Sequence, residues 1–298
     1  MNRPPSCRGL NFEDVDGIGS GSFSQVARIR DSDRVIKIPS NDAYDHLERE
    51  RLVYERLKRH PNILRYYGET GITLSGRTKR GLLLHYHEAG TLDKILSAQD
   101  SRVSIDRDRW LIQTIEAVRY VHSRGVIHGD LGSHNFLIQS DGALALADFG
   151  GSSIDGSECL EFPPPRYSRP TTMNSQYQLR PTEKDDLFGL GTLLYEISTG
   201  QLLYQELSDV EINNRFAEQI FPSFTGVPED LQRVIIGCWT ERYENADEVA
   251  RDLEGAVSRL LRRFSLSSLV YFGLFTATLA VMWSARSSAL GLSITRRK

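Results

Sequence analysis

Residues 136 to 147 read "FLIQSDGALALA", two short apolar runs on either side of Asp141-Gly142. Asp-Gly between apolar runs is a strong hairpin signal, because glycine takes the positive φ that a tight two-strand turn requires. The chain must therefore double back here, and it carries three polar side chains with it. Asp130 and Asn135 come just before the first run and Asp148 just after the second. Two carboxylates and an amide spaced around a hairpin are the oxygen groups that hold a hard divalent cation such as magnesium and orient a hydroxyl for phosphoryl transfer.

Upstream, residues 14 to 38 alternate apolar and polar positions around tight turns, "GIGSGSFSQVARI", "DSD" and "RVIKI", which predicts paired strands. Gly17, Gly19 and Gly21 precede the strand residue Val26. A glycine-rich turn alone is mostly structural. Lys37 sits among apolar neighbours, where its stem packs and its ammonium needs an anion. Residues 43 to 58 predict a helix: Leu47, Tyr54 and Leu57 recur at helical spacing and Pro61 stops the pattern. Glu50 falls on that same inward stripe, whereas Glu48 and Glu55 fall on the solvated side. An inward carboxylate needs a cation: Lys37 is the first candidate, with Arg49 or Arg51 as alternatives.

"GLLLHYHEAGTL" supplies a short strand, Leu82 to Leu84, and then a connector at His85, Tyr86 and His87. The two histidines of this extended segment are not expected to form a metal site. Beyond the connector, "DRWLIQTIEAVRYVHSRG" is helical, the hairpin follows, and a helix resumes from Asp186. Residues 151 to 182 show no sustained period and predict a long loop. The expected architecture is α+β, with a small sheet-rich part preceding a larger helical part.

With 36 basic and 39 acidic residues the formal charge is −3, so nothing marks a nucleic-acid partner. Cys7, Cys159 and Cys238 lack the spacing of a zinc site or a disulfide framework. The first 17 residues lack the apolar core of a secretory signal.

The 22 residues from Phe264 to Ala285 contain no charge and are bracketed by Arg262, Arg263 and Arg286. At about 1.5 Å per residue a helix of that length spans roughly 33 Å, close to a hydrocarbon core. Apolar side chains surround it instead of lining one face, so a transmembrane helix over 264–285 is expected, with a basic tail at 286–298. The run ends 13 residues before Lys298, which reads as a tail anchor with the preceding domain in the cytosol.

Taken together, Gly19-x-Gly21, Lys37, Glu50, "HGD" with Asn135, and "DFG" resemble the eukaryotic protein kinase family, in order, spacing and context. "HGDLGSHNFLI", "LADFGGSSIDG" and "DDLFGLGTLLYEISTG" are similar to a compact kinase-like group of filamentous fungi. The resemblance implies a two-lobed kinase fold over residues 12–260, with an N-lobe at about 12–84 and a C-lobe at about 88–260, after an N-terminal extension of residues 1–11. It implies ATP and Mg²⁺ as cofactors, a protein substrate, and a hydroxyl acceptor, serine or threonine before tyrosine. Asp130 would be the catalytic base, Lys37 and Glu50 the phosphate-positioning pair, and Asn135 and Asp148 the magnesium ligands. Gly19, Gly21, Val26, Leu84 and the connector His85, Tyr86 and His87 would line the nucleotide site. Asp186 would hold the catalytic loop, and His128, Leu131 and Phe149 would pack.

Several positions depart from the family pattern. Gly129 stands in place of the arginine that receives a loop phosphate, so activation by loop phosphorylation is not expected. Gly132 stands in place of the lysine that steadies the transferred phosphoryl group, which predicts a slower chemical step with magnesium binding retained. Ser24 replaces a third loop glycine. The Ala-Pro-Glu closing the activation segment is reduced to Pro170, and its arginine partner falls on Ala246, so that ion pair is expected to be absent altogether. A catalytically silent, nucleotide-binding scaffold is the alternative to an active enzyme.

Overall fold

The computed structural model describes residues 9–41, 43–98, 106–170 and 180–261. They form two lobes, one built on a sheet and one on helices, in a single compact unit, Met1–Leu253. Of the second unit, Glu254–Lys298, helical backbone is described to Leu261.

The sheet lobe contains β1 (Leu10–Asn11), β2 (Val15–Ser20), β3 (Ser24–Ile29), β4 (Arg34–Pro39), β5 (Tyr66–Leu74) and β6 (Arg77–His85), in the order β1-β5-β6-β4-β3-β2. Leu10 and Asn11, expected in the N-terminal extension, thus join the sheet through a parallel pairing with β5. Val15, Ile36, Ile38 and Ile72 form an apolar cluster across it. Helix α1 (Tyr44–Leu57) buries Leu47, Glu50, Val53, Tyr54 and Leu57. Leu47, Glu50, Tyr54 and Leu57 are the stripe read from the sequence, to which the structure adds Val53, and the face lays its one acidic member among apolar neighbours.

The helical lobe comprises α2 (Leu92–Ala98), α3 (Arg107–Ser123), α4 (Glu183–Thr199), α5 (Asp209–Ala217), α6 (Glu229–Trp239) and α7 (Ala246–Leu261). Short strands β7 (Val126–Ile127), β8 (Phe136–Ile138), β9 (Leu144–Leu146) and β10 (Ser153–Ile154) lie between α3 and α4 in the chain. β8 and β9 pair antiparallel, Phe136 opposite Leu146, and Gly142 at their turn has φ +78°. The predicted hairpin is therefore present.

Two expectations change. The helix expected from Asp186 begins at Glu183, because Thr182 and Asp185 cap it reciprocally: the Thr182 N–H donates to Asp185 Oδ2 at 2.7 Å. The loop expected over 151–182 carries regular structure in its described part, since β10 pairs with β7 and Pro165–Tyr167 forms a 3-10 turn. Among the described residues no helix is long and apolar enough to cross a membrane. The run 264–285, expected to do so, and the basic tail 286–298 lie outside them.

Candidate active site

Sheet register builds one side of the site. Gly19 pairs with Val26, Val26 with Lys37, and Lys37 with Leu82, so a single transverse row carries the glycine-rich turn, Val26 and the lysine. Residues opposite one another in a ladder share a face. Leu84 lies two residues beyond Leu82, on that same face, and is buried. In the connector, the His85 N–H donates to the Arg65 carbonyl at 3.0 Å and the Tyr86 N–H to the Asp33 carbonyl at 2.8 Å.

Lys37 is buried at the centre of an ionic cluster. Its Nζ lies 2.7 Å from Glu50 Oε2 and 2.7 Å from Asp148 Oδ1. The other two cations that could have met Glu50 are used elsewhere: Arg51 pairs with Glu48 and Glu55, and Arg49 donates to the carbonyls of Ser152 and Glu158. Burial works against the lysine's charge, but Asp148 and Glu50 outweigh it and hold the ammonium above its ordinary range. Burial pushes the Glu50 carboxyl up to about 6, with Lys37 opposing the rise. Both partners stay ionised at neutral pH, and removing either would strand a buried charge.

The catalytic loop is held from below by α4. Asp186, fully buried, accepts the His128 N–H at 2.7 Å and the Gly129 N–H at 2.9 Å, and His122 Nε2 at 2.8 Å. Gly129 adopts φ +79°, which explains its residue type, and a Cβ there would sit 3.7 Å from the Cβ of Cys159. The segment after Asp148 thus lies within van der Waals contact of that position. His128, Leu131 and Phe149 are buried packing groups. The Phe149 ring contacts Tyr54 at 5.2 Å and His128 at 5.0 Å, a column that joins α1 to the loop held by Asp186.

Among the described residues Asp130 is held at one oxygen and unpartnered at the other. Asn135 Nδ2 donates to Asp130 Oδ2 at 3.0 Å and to the Asp130 carbonyl at 2.8 Å, and His134 Nε2 lies 3.2 Å from the same Oδ2. Oδ1 is buried with no hydrogen-bond partner among the described residues. Asp148 has φ +60°, a left-handed conformation that costs an ordinary residue on the order of 1 kcal/mol and is typical of functional positions.

Lys37, Glu50, Asp130 and Asp148 border one cleft of about 420 Å³ together with Gly21, Phe23, His134 and Glu161, whereas Asn135, Gly19, Val26, Leu84 and the connector His85, Tyr86 and His87 do not line it. Another cavity, about 520 Å³ beside Leu96, Tyr195 and Arg215, holds none of the polar residues named so far. Sequence reasoning did not single out three of the cleft's members. Phe23, at the tip of the glycine-rich turn, stacks on His46 of α1 with ring centroids 4.0 Å apart. Glu161 faces His46 at 3.6 Å, and burial with the nearby charges of Asp148 and Asp130 pushes its carboxyl up to about 7. His134 is the third: burial opposes its charge, but Asp130 outweighs this and raises the imidazole above its ordinary range.

The end of the segment is closed by a different ion pair, of opposite polarity to the one whose residues are missing: Arg169 Nη1 lies 2.9 Å from Glu241 Oε2, two residues past Trp239, and Arg169 Nη2 lies 2.8 Å from Asp185. Tyr167 donates to the buried Glu196 at 2.9 Å and bonds Ser133 at 2.7 Å, tying the same stretch to α4 and to the catalytic loop.

The protein kinase domain family model matches residues 12–265. CBL-interacting serine/threonine-protein kinase 26 of Arabidopsis thaliana is 30% identical over 228 residues, covering 69% of this chain and 49% of that protein. CBL-interacting protein kinase 32 of Oryza sativa subsp. japonica is 31% identical over 231 residues, 71% of this chain and 51% of that one. 3-Phosphoinositide-dependent protein kinase 1 of Arabidopsis thaliana is 27% identical over 247 residues, 70% and 48%. The chain spans about half the length of the curated relatives it matches.

Proposed function

We propose that this chain, which belongs to the protein kinase domain family, transfers the γ-phosphoryl group of ATP to a serine or threonine hydroxyl of a protein. The observation that carries the reading is the convergence, in one cleft, of Lys37 paired to Glu50 and Asp148 with an Asp130 oxygen left without a partner. The serine/threonine preference rests on the names of relatives such as the Arabidopsis kinase 26. The wording of "HGDLGSHNFLI" and "DDLFGLGTLLYEISTG" supports grouping the chain with the compact fungal kinase-like domains.

The residues suit a magnesium–nucleotide complex. Asp148 and the amide oxygen of Asn135, whose N–H bonds are spent on Asp130, would hold the metal. Lys37, fixed by Glu50, would face the α- and β-phosphates, with the backbone of Gly19 and Gly21 over them. Val26 and Leu84 would offer apolar surface to the base, and the His87 N–H, which has no partner among the described residues, would serve it where His85 and Tyr86 have spent theirs. Magnesium, when bound with ATP, neutralises the charge that develops on the phosphates. Asp130 Oδ1 would accept the hydroxyl proton and orient the nucleophile, a role that its unpartnered oxygen suits. Incubating the purified protein with γ-labelled ATP, magnesium and a generic protein acceptor tests this. Label in the acceptor, absent from Asp148→Asn, supports transfer, whereas nucleotide binding without transfer returns the scaffold reading.

We also propose that residues 264–285 span a membrane, with the kinase domain on the cytosolic side where ATP is supplied. The support is the uncharged 22-residue run between arginines. Full-length protein should resist alkaline carbonate extraction while a form truncated at Ser258 stays soluble. Release of the full-length protein by carbonate would sink the spanning helix.

A further inference from the structure

The loop "DLGSHN" contains two residues whose relation the sequence does not announce. Gly132 has ordinary extended backbone, so its φ does not call for glycine; its surroundings do. A Cβ built there would lie 2.6 Å from His134 Nδ1 and 3.0 Å from Tyr167 Cε2. The first distance is shorter than real contacts allow, so the His134 imidazole fills the space that a side chain at 132 would need. The Ser133–Asn135 3-10 turn folds the ring back over that position. Its far nitrogen, Nε2, meets Asp130 Oδ2 at 3.2 Å, and its face leans on Tyr167 at 5.4 Å. Tyr167 is itself fixed by Ser133 and Glu196.

We propose that His134 is the positioning residue of this catalytic loop, taking the place vacated at Gly132 and holding Asp130 Oδ2 so that Oδ1 is presented to the acceptor hydroxyl. The inference rests on the phosphoryl-transfer reading and adds a role to a side chain that reading leaves idle. Asn135 alone could hold Oδ2, but it approaches from one direction and must also offer its oxygen to the metal. A second donor fixes the plane of the carboxylate. The neutral imidazole with its proton on Nε2 suffices for this bond, so the role does not depend on the ring being charged.

The test compares three substitutions at one position in the full chain. Glutamine carries an amide nitrogen at about the reach of Nε2, asparagine one at about the reach of Nδ1, and alanine none. His134→Ala and His134→Asn should lower kcat about 10-fold or more with the KM for ATP within about 2-fold. His134→Gln should recover most of the loss. Gly132→Ala, whose methyl would displace the ring, should behave like His134→Ala. Equal kcat in wild type and His134→Ala overturns the proposal, and so does a glutamine variant no better than the asparagine one. A wild type that transfers no phosphate would instead sink the activity reading. Nitrogen-15 spectra of the imidazoles decide the contact in that case: Asp130→Ala should shift the Nε2–H signal of His134, and an unmoved signal overturns the inference.

Discussion

Arg169 and Glu241 form an ion pair 2.9 Å long that joins the end of the activation segment to the turn after α6, across 72 positions of chain. The same guanidinium reaches Asp185 in the first turn of α4. Arg169 is the better shielded partner and serves two acids, so Arg169→Ala should destabilise by about 1–2 kcal/mol and Glu241→Ala by less than about 1 kcal/mol. Urea unfolding of the two variants measures the difference. Equal losses would mean that Asp185 takes no share of the pair.

Asp148→Asn keeps the side-chain volume and removes the charge that meets both Lys37 and the proposed metal. Magnesium-dependent transfer should fall on the order of 100-fold or more, with far-ultraviolet circular dichroism unchanged. Turnover at the wild-type rate would remove Asp148 from the metal site.

Glu50 and Glu48 lie two residues apart on α1, one buried against Lys37, the other paired with Arg51 and Arg80 on the outside. Glu50→Gln should cost at least about 10-fold more in kcat/KM than Glu48→Gln, because only the first loosens the lysine. Comparable effects would contradict the placement of Lys37 by Glu50.

The buried His122 supplies a pH dependence. Burial lowers its affinity for a proton, but the hydrogen bond to Asp186 and the Glu183 carboxylate 3.3 Å from Nδ1 outweigh this and raise it to about 9. An unfolded histidine titrates near about 6.5, so the contribution is fully present below that pH and is lost as pH rises through about 9, on the order of 3 kcal/mol in all. The unfolding free energy of the wild type should therefore fall between pH 6.5 and 9 more steeply than that of His122→Gln. Parallel curves would refute the pairing.

Phosphatase treatment should leave activity unchanged. Ser152 and Ser153 are buried, and the Ser157 hydroxyl accepts the Ile154 N–H, so a phosphate on any of them would have to displace packed structure. Gly129, where a receiving cation would stand, faces Cys159. A large loss of turnover after dephosphorylation would show that a cation elsewhere receives the phosphate.

The β8–β9 hairpin and the phase of α1 were legible in the sequence because each depends on local chemistry: an Asp-Gly turn, and a 3.6-residue stripe with Glu50 upon it. Strand β5 was not, since Gly68 and Gly71 interrupt its alternation and a register shift follows Tyr66. Lys37, Glu50, Asp130, Asn135 and Asp148 could be named from spacing, but not the side chains that complete the cleft. His134 shows its contact with Asp130 only once a 3-10 turn folds it back, and Arg169 meets Glu241 only through tertiary packing. Spacing shows neither.

Arg49 reaches from α1 to the carbonyl oxygens of Ser152 and Glu158, and to neither side chain. Every amino acid brings a carbonyl, so the identity at the exposed position 158 can drift across generations while the tie between helix and segment persists; Ser152 is held by its burial instead. Only a substitution at 49, or one that reroutes the main chain, breaks it. Heredity therefore need not guard the letter at 158 for the sake of this junction, and a mutational scan should find position 49 intolerant beside a permissive 158.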